Sequence, residues 1–240
     1  MSLHDGHRER LKERFSDHGL DNFNDLNALE LLLFYAIPRK DTNEIAHQLL
    51  ERFGSLDEVF SASMQQLQQV PGVGYHAAVL IRLVPQLAKR GAIRSAGTPT
   101  QFTNARAIAH YLQPRLQNEK NEQLLLLCLT PQKRLISLVV LSQGVVNNVT
   151  LNVRQLVEEA LRKRASSVII AHNHPTGNPR PSAEDEMMTR RVYDALKLVD
   201  ITLADHIVIG GELYFSFQEA GLLQYQYRRA YEGEVEYGAE

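Results

Sequence analysis

The chain has 240 residues, 44% of them hydrophobic and 22% charged, which is the composition of an ordinary soluble globular protein of one or two domains. It contains no apolar run of about 18 residues, so we expect no membrane span and no membrane partner. The formal net charge of −2 excludes a global basic field that would attract nucleic acid. The first residues are already charged and the single cysteine, Cys128, cannot form an internal disulfide, so we expect a cytoplasmic protein without a secretory signal.

The N-terminal part predicts a succession of helices. One helix should start after Asp41, which has the spacing of a capping box with Glu44, and should stop at Gly54. "SLDE" and "SMQQ" repeat the capping signature and predict two short helices. A glycine turn follows, then a helix that Pro85 should kink or interrupt.

The pattern changes after Gly91, where "IRSAGTPT" forms a small-residue, Gly- and Pro-containing stretch. We therefore expect a helical domain at 1–94, a linker at 95–100, a second domain at 101–225 and an acidic tail at 226–240.

The second domain alternates strand and helix patterns. "NEQLLLLCLT" and "RLISLVVLSQG" are apolar runs of the length of buried strands, and "SSVIIAHNH", "ITLADHIVIGG" and "LYFSF" predict three more strands. "VRQLVEEALRKRA" and "SAEDEMMTRRVYDALKLVD" predict helices between them. Strands separated by helices indicate an α/β layer fold.

The stretch "VPGVG" places two glycines around a small apolar residue between two helices. Such a turn exposes backbone N–H groups at a helix N-terminus, where a DNA phosphate is a suitable partner, so Gly72, Val73 and Gly74 are candidate phosphate contacts. The stretch resembles a helix-hairpin-helix motif, and "YAIPRKDTNEIA" resembles a degenerate first copy with Arg39 and Lys40 at its turn. The alternative is a tight interhelical turn that only packs.

The segment "AHNHPTGNPRPSAED" carries the residues best suited to metal chemistry. On a strand, residues two apart share a face, so His172 and His174 can reach one ion, and imidazole suits zinc. Asp185, in the first turn of the next helix, can supply a third ligand and leave the fourth position open, as in catalytic zinc sites. Ser182 would then lie where it can stabilise an oxyanion. Ser182 and Asp185 also fit a plain capping box, but capping does not require the two histidines.

The spacing His-x-His-x7-Ser-x2-Asp resembles the signature of the JAMM (MPN-plus) metalloproteases, which include deubiquitinating peptidases. The fuller string, with the later "LADHIVIGG", resembles the RadC family of bacterial proteins over nearly the whole chain. This resemblance implies an all-α, helix-hairpin-helix-like N-terminal domain and an α/β JAMM-type domain with a mixed sheet, layered as in cytidine deaminase. It also implies that His172, His174 and Asp185 hold Zn²⁺ and that Ser182 lies on the oxyanion side.

The sequence departs from the JAMM pattern in one respect. That mechanism uses a glutamate, on a strand before the His-x-His, as general base. No acidic residue occurs between Glu122 and Glu158, and the sequence does not show that Glu122, Glu158 or Glu159 faces the metal, so the base stays unidentified. Metal binding is therefore better supported than peptidase turnover.

Two further patterns have alternative interpretations. Asp205 and His206 fit either a hydrogen-bonded pair that supports the sheet, which we favour, or a second shell that orients a zinc ligand. The letters "HNH" match HNH endonucleases by accident, because the residues of that motif are not consecutive, and the Asp-His that follows His-x-His in metallo-β-lactamases is replaced here by Pro175 and Thr176.

The leading hypothesis is a zinc-dependent peptidase or isopeptidase of the JAMM class that acts on a peptide or protein tail. The second is a DNA-associated or DNA-repair-associated module, bound to DNA without regard to sequence, whose zinc site is not catalytic. A third is a scaffold that binds a protein tail beside the metal without cutting it.

Overall fold

The computed structural model describes residues 3–143 and 152–223, and only the backbone at 3–5 and 143. Two compact units divide between Gly91 and Ala92. Among the described residues, no helix combines the length and apolarity that crossing a membrane requires.

The N-terminal unit is entirely helical in its described part, which confirms the all-α domain predicted from the sequence. Its helices are α1 (Leu3–His18), α2 (Asp25–Ala36), α3 (Thr42–Phe53), α4 (Leu56–Ser61), α5 (Met64–Gln68) and α6 (Tyr75–Ala96). Side chains of α2 to α6 bury the larger apolar core of this unit, in which Leu33, Leu49, Leu67 and Ile81 are fully inaccessible to solvent, and α1 packs on α2 in a smaller cluster.

Side-chain caps set the helix starts in this unit. Helix α3 begins after Asp41 and ends at Gly54, whose φ of 87° suits glycine, so both predicted ends are confirmed. The predicted capping box of Asp41 is wrong, because its carboxylate accepts from the backbone N–H of Asn43, while Glu44 accepts from Gln48. The box at Ser63 is present.

Helix α6 runs as one element from Tyr75 through Pro85 to Ala96. Pro85 therefore does not interrupt it, although proline supplies no N–H for the hydrogen bond of that turn, and the alternative of a kink stays a prediction. The predicted linker at 95–100 starts within its last residues.

The C-terminal unit is an α/β layer structure with a mixed five-stranded sheet in the order β2-β1-β3-β4-β5. Its elements are α7 (Ala105–Leu116), β1 (Gln123–Leu129), β2 (Leu135–Gln143), α8 (Val153–Arg162), β3 (Ser167–Asn173), α9 (Ala183–Lys197), β4 (Thr202–Gly210) and β5 (Leu213–Ser216). Strands β3 and β4 are parallel, and the other neighbours are antiparallel. The five predicted strands and two predicted helices are confirmed, whereas helix α7 was not anticipated.

Side chains that alternate along the strands form two cores, one on each face of the sheet. Leu127, Ile169 and Ile207 pack on one face against α7. Leu126 and Ile170 pack on the other face against α8 and α9. Because residues two apart share a face, His172 lies on the α9 side, directly after Ile170 in that row.

Candidate metal centre

Two elements bring the predicted ligands together. His172 lies near the end of β3, and His174 follows the strand, where its backbone N–H donates to the carbonyl of Ile209 at 2.8 Å and extends the pairing with β4. Asp185 lies in the first turn of α9, which returns over the same face of the sheet. The strand therefore fixes two ligands and the helix start fixes the third.

Helix capping determines where Asp185 points. Its backbone N–H donates to Ser182 Oγ at 3.1 Å, and its Oδ2 accepts from the Ser182 backbone N–H at 2.7 Å and from Ser182 Oγ at 2.8 Å. The predicted capping box is thus present, and it is compatible with the metal-site interpretation. The hydroxyl of Ser182 is used to hold Asp185, and its predicted oxyanion role stays a prediction.

The candidate ligand atoms of the three side chains face one another at distances that suit one small cation. His172 Nε2 lies 3.0 Å from His174 Nε2 and 3.1 Å from Asp185 Oδ1, and His174 Nε2 lies 3.3 Å from Asp185 Oδ2. Ligands of a tetrahedral zinc ion at about 2.0–2.1 Å are separated by roughly 3.3 Å. The separations of the two imidazole nitrogens and the carboxylate oxygens are thus close to those that a tetrahedral zinc ion requires.

The electrostatics of the site favour a positive charge among these groups. Burial alone would raise the pKa of the Asp185 carboxyl, but hydrogen bonds with His172 and His174 outweigh burial and hold that pKa far below its ordinary value. The Asp185 carboxylate in turn raises the pKa of His174, against the opposing effect of burial. The carboxylate is therefore ionised at neutral pH and available as a ligand.

His206 contacts a candidate ligand directly, which the sequence analysis did not favour. Its Nε2 lies 2.9 Å from His172 Nδ1, on the side of that ring away from Asp185. Asp205 has the supporting role instead, since its carboxylate accepts from the Ser216 hydroxyl and from the backbone N–H groups of His206 and Gln218. The predicted hydrogen bond within the pair is present, and His206 in addition contacts a candidate ligand.

Glu122, which sequence reasoning left without a role, acts electrostatically on one candidate ligand. Strand β1 pairs with β3 so that Leu124 is opposite His172, and continuing this register by two residues places Glu122 opposite His174. Directly opposed residues of antiparallel strands project from the same face, and the charge of Glu122 contributes to the raised pKa of His174. Only the strand register could have revealed this.

The other two carboxylates considered for this role are occupied elsewhere. On helix α8, Glu158 pairs with Arg154 at 2.7 Å and Glu159 pairs with Arg162 at 2.5 Å. Of the three glutamates, the structure therefore associates only Glu122 with the candidate ligands.

In the glycine hairpin at Gly72–Gly74, packing contacts and a hydrogen bond within the turn involve Gly72 and Val73. Gly72 has a φ of 88°, and a Cβ added there would lie 2.7 Å from Ile45 Cδ1. The Val73 side chain is buried, and its N–H donates to the carbonyl of Val70 at 3.1 Å, so this amide is not available to a phosphate. At Gly74 an added Cβ would meet nothing within 4 Å. Phosphate binding stays a prediction for Gly72 and Gly74.

Comparison with known proteins supports the resemblance that these residues carry. The family described as RadC-like JAB domain matches residues 102–222, and the family described as UPF0758 N-terminal matches residues 6–79. A UPF0758 protein of Fusobacterium nucleatum subsp. nucleatum is 33% identical over 225 residues, which cover 91% of this chain and 97% of that protein. Neither family description states a reaction. The chain belongs to the RadC family, with a UPF0758 N-terminal domain followed by a RadC-like JAB domain.

Proposed function

We propose that this protein is a zinc-dependent hydrolase of the JAMM class that cleaves a peptide or isopeptide bond. The observation that carries the proposal is the convergence of the candidate ligand atoms of His172, His174 and Asp185. The charge of Glu122 also acts on His174. The substrate class comes from the family resemblance, and the chemistry comes from these residues.

The donor set fits a catalytic rather than a closed structural zinc site. Two histidines and one carboxylate would hold the ion with three protein ligands, as in catalytic zinc sites, whereas structural sites use four protein ligands. A zinc ion held there would act as a Lewis acid and lower the pKa of water at the open position.

Glu122 is our candidate for the general base. It is half-buried and directly precedes β1, and extending the β1–β3 register by two residues would put it level with His174, on the face that carries His172. A carboxylate there can accept a proton from the attacking water and later give it to the leaving amine, which is the role that a positioned base performs. Ser182 is retained as the candidate hydroxyl on the oxyanion side.

The proposal is tested by measuring zinc content and hydrolysis on the same preparations. Wild-type protein should bind one zinc ion, and His174→Ala should lose it. Glu122→Gln should keep the zinc but hydrolyse a panel of fluorogenic peptide and isopeptide substrates roughly 10²–10⁴-fold more slowly. Glu158→Gln, which removes an exposed carboxylate paired with Arg154, is the matched control and should retain wild-type rates.

Two outcomes would contradict the proposal in different ways. Wild-type protein that binds no zinc overturns the metal site. Zinc-loaded wild-type protein that hydrolyses no member of the panel, or whose rates Glu122→Gln leaves unchanged, supports the alternative of a non-catalytic zinc site in a DNA-associated module.

A further inference from the structure

Strand β4 supplies no candidate ligand. Two of its residues nevertheless contact His172 and the loop that follows His174. His206, in the middle of the strand, is completely buried and stacks on Phe217 with ring centroids 4.5 Å apart. Gly210, at its end, lies against the loop that follows His174. These two contacts involve different residues. His206 acts on the imidazole of His172, and Gly210 acts through the loop on the imidazole of His174.

The first contact is a chain of three hydrogen bonds. His172 Nδ1 lies 2.9 Å from His206 Nε2, His206 Nδ1 lies 2.6 Å from Thr189 Oγ1, and Thr189 Oγ1 lies 2.6 Å from the backbone carbonyl of Asp185. A carbonyl only accepts, so the single hydroxyl proton of Thr189 is donated to Asp185. Thr189 Oγ1 must then accept from His206 Nδ1–H.

This direction fixes the tautomers of both rings. With its proton on Nδ1, neutral His206 presents a lone pair at Nε2, which accepts from His172 Nδ1–H. His172 Nε2 is then left with a lone pair, and that atom faces His174 and Asp185. His206 is completely buried, and both of its ring nitrogens take part in this chain of hydrogen bonds.

The second contact is steric. His174 Nδ1 lies 2.8 Å from the carbonyl of Asn178, which fixes the proton of that ring on Nδ1 in the same way. A Cβ at Gly210 would lie 2.5 Å from Pro179 N, 2.6 Å from the Gly177 carbonyl oxygen and 2.7 Å from Asn178 C. All three are backbone atoms, so the loop could not keep its place by a side-chain rotation.

We infer that β4 positions the metal ligands, with His206 and Thr189 setting the tautomer of His172 and Gly210 admitting the loop whose carbonyl orients His174. These are positioning residues, because they act through the histidines. The inference rests on the proposed zinc site. Strand β4, whose other side chains mostly pack in the two cores, thus helps to position both candidate ligands.

The test of the hydrogen-bond chain is zinc affinity, measured by competition with a chromogenic chelator. Loss of an outer partner typically lowers metal affinity about 10–100-fold, so His206→Leu should fall in that range. Thr189→Val, which removes only the hydroxyl, should weaken zinc binding several-fold, and Thr189→Ser should restore it. Because His206→Leu changes a buried residue and can fail to fold, the Val and Ser pair at position 189 keeps the inference testable.

A spectroscopic readout separates positioning from a general loss of structure. In zinc-loaded wild-type protein, the ring ¹⁵N shifts of His172 should show the proton on Nδ1. In Thr189→Val the two tautomers of His172 should be mixed, with the backbone spectrum otherwise unchanged. Unchanged ring shifts and unchanged zinc affinity in folded Thr189→Val would overturn this part of the inference.

The proposed role of Gly210 can be tested against its neighbour Gly211, which serves as the control. Gly210→Ala should lower zinc affinity at least as much as Thr189→Val. Gly211→Ala meets no atom within 4 Å but has a φ of 58°, so it should cost stability without lowering zinc affinity. Equal zinc affinities in the two variants would overturn the role of Gly210. Wild-type protein without zinc would instead overturn the proposed function itself.

Discussion

The glycine hairpin and the His-x-His segment both place a turn before a helix, but the structure uses their residues differently. In the hairpin, Gly72 allows a positive φ against Ile45 and the Val73 amide is bonded within the turn. Packing therefore explains most of this motif without a ligand. In the His-x-His segment, three side chains from a strand and a helix present their polar atoms to one point, at 3.0–3.3 Å. Packing does not require that convergence, so it is the better evidence for function.

The capping box shows how the His-x-His segment can both cap a helix and orient a candidate metal ligand. Ser182 and Asp185 cap α9, as their spacing predicts, and the same bonds orient the Asp185 carboxylate toward the histidines. A structural explanation of two residues therefore does not weaken the functional explanation of the set. The hairpin has no comparable convergence of side chains among its described residues.

The largest expected effect tests the packing explanation of the hairpin. Gly72→Ala should lower the free energy of unfolding by about 2–4 kcal/mol, because alanine is strained at a φ of 88° and its Cβ crowds Ile45. Denaturant unfolding followed by circular dichroism measures this. Gly74→Ala, which adds a methyl group in open space, is the control and should cost less than about 1 kcal/mol.

A further substitution identifies the cause of the loss at Gly72. Replacing Ile45 by valine removes the Cδ1 atom that the new Cβ would meet. Adding Ile45→Val to Gly72→Ala should therefore cost less than Ile45→Val costs in the wild type. Equal stability of Gly72→Ala and Gly74→Ala would remove packing as the reason for this glycine.

The next effect separates capping from metal binding in the His-x-His segment. Asp185→Asn should lower zinc affinity more than about 100-fold, beyond what the loss of an outer partner costs, because a ligand is removed. Ser182→Ala should instead cost about 1 kcal/mol of stability through the lost helix cap and leave zinc bound. Zinc titration and unfolding curves on both variants check this, and equal zinc affinities would contradict the assignment of Asp185.

The sequence predicted those parts of the site that depend on local spacing. His172, His174, Ser182 and Asp185 lie within one strand, turn and helix start, whose periods and caps are readable from consecutive residues. Glu122 was left without a role because its position opposite His174 depends on the pairing of β1 with β3.

The same limit explains the other differences. The contact of His206 with His172 joins residues 34 positions apart on neighbouring parallel strands, and no local pattern encodes it. Helix α7 covers one face of the sheet with an apolar stripe that becomes meaningful only once that sheet exists. The helix through Pro85 likewise continues against the local preference of proline.

A smaller effect concerns acid stability of the metal-free protein. Burial, then the charge of His172, lowers the pKa of His206, with His174 acting in the same direction and Asp185 opposing. Below about pH 6.5 the unfolded imidazole binds a proton that the folded one does not, so stability should fall with pH by up to about 1.4 kcal/mol per unit from this residue. His206→Gln should flatten the slope between pH 7.5 and 5.5 in unfolding experiments, and His110→Gln, an exposed control, should not. An unchanged slope in His206→Gln would contradict the buried neutral state.

The smallest expected effect decides whether the hairpin has any role beyond packing. A Cβ added at Gly74 meets no atom within 4 Å, so Gly74→Asp adds a negative charge to the start of α6 at an open position. If packing is the whole explanation, the affinity of the full chain for duplex DNA and its salt dependence should equal those of the wild type. A phosphate held at this helix start would instead be repelled, and the affinity would fall with a shallower salt slope. Fluorescence anisotropy at several salt concentrations distinguishes the two results, and the second would give the hairpin the ligand that its contacts in the structure do not require.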